Sequence, residues 1–333
     1  MKNLSIAVPV YNTAPWLPRC LRSVLVDEAL EDIELICVND GSRDDSLALL
    51  RQYEKEYPQT LLVIDKENGG HGSAVNAALA AAAGRYFRVL DSDDWFDTPA
   101  FLRYLQQLKA CSEDLVVTPY TQELTETGAE LRYDYDYVRP GRVYTAHEIP
   151  SGPDRQYFTM AASTWKTSLL KKCGLQLLEK CSYVDMQYNA WPVPALKSLR
   201  LIPESVYRYS IGREGQSMSR ENLQRNVLQH QRVFCTIVEY YAAVKADLTA
   251  AQRAYLEQML AFFYYSHIHL LQEMQGKRKR IKSLERWLSS ISPTLYDRVS
   301  FPALRLSRAV SYLDLSLPTL IRRVGGRVLR LMS

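Results

Sequence analysis

Long apolar runs are missing from this 333-residue chain. The most apolar stretch, residues 260–271, is broken by Ser266, His267 and His269, short of the roughly 18 residues that a membrane span needs. Cysteine is sparse and unclustered. Cys20, Cys37, Cys111, Cys173, Cys181 and Cys235 form no Cys-x-x-Cys pair, which argues for reduced thiols and against a disulfide scaffold. With 14 glycines and 15 prolines, 47% hydrophobic and 23% charged residues, collagenous and disordered classes are excluded. No His-Glu-x-x-His sequence occurs, and His267 and His269 stand two apart on a predicted helix, so they are expected to pack rather than bind metal. Walker and dinucleotide glycine loops are absent as well. The N-terminus, Met1-Lys2-Asn3 followed by Leu4-Ser5-Ile6, reaches no small-residue cleavage site, and a cytoplasmic location is expected.

What is present begins with a charge asymmetry. The net charge is +4, yet residues 276–333 hold thirteen Lys and Arg against Glu285, Asp297 and Asp314, a segment charge of +10 that leaves −6 for the rest. A basic tail on an acidic body suits an anionic surface partner at the tail and speaks against a domain that grips nucleic acid. The first 120 residues alternate short apolar runs with helical periods, the pattern of βαβ units. Strands are predicted over 5–10, 33–39, 61–65, 86–90 and 115–119, and helices over 16–26, 45–56, 73–83 and 99–110, the last capped by Thr98. The expected fold is α/β, with a mainly parallel sheet sandwiched by helices and a helical C-terminal region. A hairpin around Thr127-Gly128 is expected near the sheet edge, a late strand over 199–209, and long helices over 221–245 and 249–275. The boundary is placed at 218, giving domains 1–218 and 219–333.

Three polar constellations fall at predicted strand ends, where ligands bind on such sheets. Val8-Pro9-Val10-Tyr11-Asn12 closes the first strand and Asn39-Asp40-Gly41-Ser42 the second, a floor with one aromatic face and amide and carboxylate acceptors that suits a nucleoside. The second motif would serve equally as a turn with an N-cap. Asn68-Gly69-Gly70-His71-Gly72-Ser73 leads into a helix, where backbone N–H groups can approach an anion, and His71 reads as a loop hydrogen-bonder. Asp91-Ser92-Asp93-Asp94 places three carboxylates in four residues. Their mutual repulsion would be relieved by a hard divalent cation, Mg²⁺ or Mn²⁺, for which Asp91 and Asp93 share one side of an extended chain; a solvated turn before the next helix would account for one of the three but poorly for all.

The order Pro-Val-Tyr-Asn, Asn-Asp-Gly-Ser, Asn-Gly-Gly with Asn76, and Leu-Asp-Ser-Asp-Asp resembles the family-2 glycosyltransferases of GT-A fold over residues 4–218. That resemblance implies a nucleotide-sugar donor bound by Pro9, Tyr11, Asn12, Asp40, Asn68, Gly69, Gly70 and Asp91, with Asp93 and Asp91 at the metal. It also implies a later carboxylate as catalytic base, matched by Asp185, though Val184 stands where the family has Glu; an exposed N-cap is the other role open to Asp185. Arg213 is the candidate to close over the diphosphate. Val75 departs from the Arg that many relatives carry, and Ser283-Leu284-Glu285-Arg286-Trp287 lacks the Gln of processive members, which implies one sugar per encounter.

The expected activity is transfer of a sugar, with inversion, from a nucleoside diphosphate (UDP foremost) to a hydroxyl of a carbohydrate or lipid-linked acceptor in cell-surface polysaccharide or glycolipid synthesis. A nucleotidyltransferase would need a basic glycine loop that residues 8–16 lack, and a non-catalytic sugar-binding module would not need Asp91, Asp93 and Asp185 together. Finally, residues 317–332 set Leu317, Leu320, Ile321, Val324, Val328 and Leu331 opposite Arg322, Arg323, Arg327 and Arg330. Such a helix is expected either to lie on an anionic membrane at the inner face of the plasma membrane, or to pack its stripe on the catalytic domain.

Overall fold

The computed structural model of the chain describes residues 2–150, 152, 157–212, 226–272, 274 and 276–299. The predicted βαβ alternation is observed. In order come β1 (Leu4–Val10), α1 (Leu17–Arg22), α2 (Asp27–Leu30), β2 (Ile33–Asp40), α3 (Ser46–Glu56), β3 (Leu61–Lys66), α4 (His71–Ala81), β4 (Tyr86–Val89), β5 (Trp95–Phe96), α5 (Thr98–Ala110) and β6 (Leu115–Val117). There follow β7 (Tyr120–Leu124), β8 (Glu130–Tyr133), β9 (Val143–Thr145), β10 (Ser163–Lys166), α6 (Thr167–Lys172), α7 (Asp185–Ala190), β11 (Ser198–Leu201) and β12 (Tyr207–Ile211). The chain then turns helical: α8 (Val227–Val244), α9 (Ala250–Leu271), α10 (Lys277–Ile291) and α11 (Pro293–Val299).

The central sheet has the order β3-β2-β1-β4-β10-β6-β11-β9, parallel except where β10 and β9 join it. Every residue of β1 is buried, as a central strand covered on both faces requires. Pro9 is tolerated inside this strand for a geometric reason. Ala7 accepts from the N–H of Leu90, so residue 9 directs its backbone to the same side, where pairing with β4 has already ended at Ala7 and Val89. Beyond that point β1 and β4 part. The strand order reverses between them, which opens a crevice at their carboxyl ends.

Three local expectations are corrected. The stretch 199–209 is two strands: β11 pairs with β6 in the central sheet, and after Pro203 the chain crosses to form β12 in a second sheet of order β5-β12-β7-β8. The hairpin of β7 and β8 is present but belongs to that second sheet, while β9 forms the central sheet's edge. The cap of α5 is Asp97, whose carboxylate accepts from Ala100 N–H at 3.1 Å, one residue earlier than Thr98.

Helices α8 and α9 run antiparallel, since His230 packs on Phe263 early in α8 and Tyr241 donates to Glu257 late in it. They seat on the sheet layer through polar anchors: Gln252 donates to the carbonyls of Val193, Pro194 and Leu196, Thr249 to that of Ala146, and the N–H of Phe158 donates to Tyr255 Oη. The boundary at 218 and the stripe at 317–332 lie outside the described residues.

As expected, His267 is a packing residue. It stacks on His230 with ring centroids 5.1 Å apart, and burial lowers His230 from 6.5 to about 3 and His267 from 6.5 to about 4. Both rings are held neutral when folded but protonate near 6.5 when unfolded, so the unfolded chain takes up more protons below that pH. Stability is therefore expected to fall steadily as pH drops from about 6.5 towards 4. Urea titrations of wild type and His267→Phe across this range check it; a variant whose acid dependence equals that of wild type would remove the pair as the cause.

Candidate active site

The crevice between β1 and β4 holds a first cleft of about 580 Å³. Pro9, Tyr11, Asn12, Asp40, Asn68, Gly70, Asp91 and Asp93 all line it, as the motifs predict. Tyr11 is half exposed, leaving an aromatic face for a flat ring. Asn12, in the left-handed region at φ 53°, faces the loop after β2 instead: its Oδ1 accepts from Arg43 N–H at 2.8 Å and its N–H donates to Ser42 Oγ at 3.1 Å. The loops after β1, β2 and β4 are interlocked further by Thr13, which donates to Ser92.

Asp40 is almost fully buried and organises the glycine loop. Its carboxylate accepts from Gly69 N–H at 2.9 Å, Gly70 N–H at 2.7 Å and Lys66 Nζ at 2.9 Å, while Asn68 Nδ2 donates to the Asp40 carbonyl at 2.9 Å. Gly69 thus serves through its backbone. Gly70, at φ +85°, and Gly72 have a different task. A Cβ at Gly70 would come within 3.2 Å of Lys180 N, and one at Gly72 within 2.3 Å of the Leu178 carbonyl. The glycines let residues 177–181 lie directly against the start of α4. Amide side chains hold that segment from both sides: Asn76 exchanges two hydrogen bonds of 2.9 Å with the backbone of Leu177, and Gln187 bonds Leu178 N–H and the Gln176 carbonyl.

The clamped segment ends in Asp185, the first residue of α7. Asp185 lines a second cleft of about 510 Å³ with Tyr120, Lys180, Tyr183 and Tyr209. Lys180 at φ 49° and Tyr183 at φ 66° are both left-handed, strain that persists only where surrounding contacts over-determine it. The two clefts share a wall made by Asn68, Gly70, His71, Asp91, Ser182 and Tyr209. Burial raises the Asp185 carboxyl above its ordinary value, and the nearby His71 charge partly opposes this.

His71 is the residue whose importance the sequence understates. Its Nε2 lies 2.9 Å from Asp91 Oδ1. Burial disfavours its imidazolium, but the bond to Asp91 and the charges of Asp185 and Asp93 outweigh that and raise its pKa. The only signal was position: a histidine opening a helix straight after Gly69-Gly70 points at the sheet's carboxyl edge.

The acidic motif divides in two. Asp91 and Asp93 face the first cleft, whereas Asp94 turns inward to accept from Tyr207 Oη at 2.7 Å and Ser210 N–H at 2.9 Å, tying this loop to β12. Burial, then repulsion from Asp93 and Asp91, pushes the Asp94 carboxyl well up. Two cleft-facing carboxylates of hard oxygen donors fit Mg²⁺ or Mn²⁺, which favour one or two carboxylates with the remaining positions left to substrate phosphates. Arg213 lies outside the described residues.

Comparison with known proteins agrees with this geometry. The protein of class α/β described above has the GT-A type of fold: it superposes on the crystal structure of S. aureus TarS 1–349 in complex with UDP-GlcNAc with a TM-score of 0.72 at 18% identity, over 98% of this chain and 92% of that one. A mannosyltransferase from Pyrobaculum calidifontis in complex with GDP-Man and Mn²⁺ matches with a TM-score of 0.53 at 16% identity, over 93% and 87%. The poly(ribitol-phosphate) beta-glucosyltransferase of Bacillus spizizenii is 39% identical over 229 residues, 65% of this chain and 33% of that protein, so the chain spans a third of this relative's length. Residues 5–162 match the family model of glycosyl transferase family 2, and the chain carries a domain of that family there.

The glycine clearance generates a prediction. Gly72→Ala drives a Cβ into the Leu178 carbonyl and is expected to cost about 2 kcal/mol, the usual order for overpacking. Urea unfolding measures it, and an unchanged midpoint would mean that residues 177–181 are not held against α4.

Proposed function

We propose that this chain is a metal-dependent, inverting glycosyltransferase that moves one sugar from a nucleoside diphosphate, UDP foremost, to a hydroxyl of a cell-surface polymer. One observation carries the reading: two clefts share a wall, with the nucleoside-type floor and Asp93 on one side and Asp185 on the other. A donor in the first cleft presents its anomeric carbon at that wall, and an acceptor entering the second meets it from the opposite face. UDP is supported by the UDP-GlcNAc bound in TarS, and an acceptor of polyol-phosphate type by the name of the Bacillus relative.

In this reading Asp185 takes the proton of the acceptor hydroxyl as that oxygen bonds to the anomeric carbon. The bond from that carbon to the diphosphate breaks in the same displacement, its electron pair leaving with the diphosphate. Partial burial keeps Asp185 basic enough for this, and His71 holds Asp91 in place at the wall. Asp93 and Asp91 would hold the divalent ion, whose chemistry is neutralisation of charge on the diphosphate. Arg213 is proposed to assist there. Among the described residues no helix is long and apolar enough to cross a membrane, and the stripe proposed to meet one at 317–332 lies beyond them.

Asp185→Asn is expected to leave UDP affinity within about threefold of wild type and lower turnover of UDP-GlcNAc by 100-fold or more, taking roughly 10² to 10⁴ as the usual contribution of a general base. If UDP binding were lost and turnover at saturation kept, Asp185 would be a binding residue. The wild-type rate is expected to decline on acidification at a pH above that of an ordinary carboxylate, since the base works deprotonated and its pKa is raised. Calorimetry with UDP tests the metal: affinity should depend on Mn²⁺ or Mg²⁺, and Asp93→Ala should abolish that dependence. Equal affinity of the wild type in EDTA and in Mn²⁺ would refute metal use.

A further inference from the structure

Helix α10 opens with Lys277, Arg278, Lys279 and Arg280, with no acidic residue in its first turn and no side-chain cap. Cations at the positive end of a helix dipole oppose folding, so the helix gains nothing from them. Arg278, Lys279, Arg280 and Lys282 are exposed, and the apolar residues of α10, Ile281, Leu284 and Leu288, are buried in the bundle.

The antiparallel packing fixes where this turn lies. Tyr264 of α9 donates to Glu285 of α10, and Glu257, earlier in α9, pairs with Arg298 of α11. Helix α10 therefore runs back along α9, and its first turn lies at the end of the bundle where α8 begins. That end borders the second cleft: Gln229 of α8 lines it and accepts from Ser182 N–H at 2.8 Å. Arg232, exposed and one helical turn beyond Gln229, lies near enough to Cys181 for its charge to act on that thiol, and Lys180, exposed, lines the cleft, so both add cations at this end of the bundle.

We propose that Lys180, Arg232 and the first turn of α10 form a cationic track that holds a flexible, phosphodiester-linked acceptor chain as it runs out of the second cleft. The inference rests on the sugar-transfer reading and its polyol-phosphate acceptor, and adds the path of that chain over the surface and the residues that hold it. Guanidinium and ammonium groups spaced along a surface suit successive phosphates. A bilayer fits this surface less well, because an interfacial helix needs an apolar face towards the lipid and that of α10 is already buried in protein.

The test uses the full chain and labelled long-chain inorganic polyphosphate, read by fluorescence anisotropy against salt. Lys279→Glu with Arg280→Glu is expected to weaken binding at least tenfold at low salt. It should also flatten the slope of log Kd against log salt by about 1.4, at roughly 0.7 for each phosphate no longer neutralised. Arg232→Glu, on a different helix, should weaken binding too. These residues are exposed, so thermal midpoints near that of wild type confirm folding. Unchanged polyphosphate affinity in either variant overturns the track. So does loss of flotation with phosphatidylglycerol vesicles in the double variant while polyphosphate binding persists, which would assign the surface to a membrane. Failure of the sugar-transfer reading would register separately, as a wild-type protein that does not bind UDP.

Discussion

The carboxylate of Asp40 is the constraint on which the site depends. Buried at the end of β2, it gathers two backbone N–H groups of the loop at 68–70 and the ammonium of Lys66. A buried charge is tolerable only when so satisfied, and here the satisfaction fixes a loop of glycines, residues with the widest backbone freedom. Everything downstream follows from that loop's position. It starts α4, so it aims His71 at Asp91; it carries Gly70 and Gly72, so it admits residues 177–181; and those residues deliver Asp185.

Electrostatics then sorts the carboxylates by environment. Asp91, Asp93, Asp94 and Asp185 converge within one neighbourhood, which would be self-repelling if all were equally ionised. The fold separates them: Asp94 is turned inward onto Tyr207 and Ser210, Asp91 is bonded to His71, Asp93 faces the cleft, and Asp185 is set apart across the shared wall with its carboxyl raised by burial. One residue type thus supplies both the face proposed to bind a cation and the face proposed to accept a proton.

Much of this was legible in the sequence because it is local. Strand ends are apolar runs that stop in polar motifs, and Tyr11, Asp40, Asp91 and Asp93 fall at the cleft for that reason. What was not legible depends on partners far along the chain. Asn76 matches a familiar motif, but nothing nearby tells that its amide pairs with Leu177, 101 residues on. Asp94 cannot be told from Asp93 without Tyr207 and Ser210 of β12. Likewise 199–209 reads as one strand, since apolar periodicity carries no label for which of two sheets a residue joins.

Asp185, the proposed base, lies outside the family-2 match, which ends at residue 162. Its helix α7 has only six residues, too few to be stable alone. Helix α8 grips it at both ends: Gln229 fixes Ser182 and His230 packs on the ring of strained Tyr183 before it, while Tyr240 stacks on Trp191 at 3.8 Å and donates to its carbonyl after it. The position of Asp185 is thereby a property of the C-terminal helices as much as of the sheet. The segment that matches family 2 supplies the wall of the first cleft, and the helical region decides what stands on its other side.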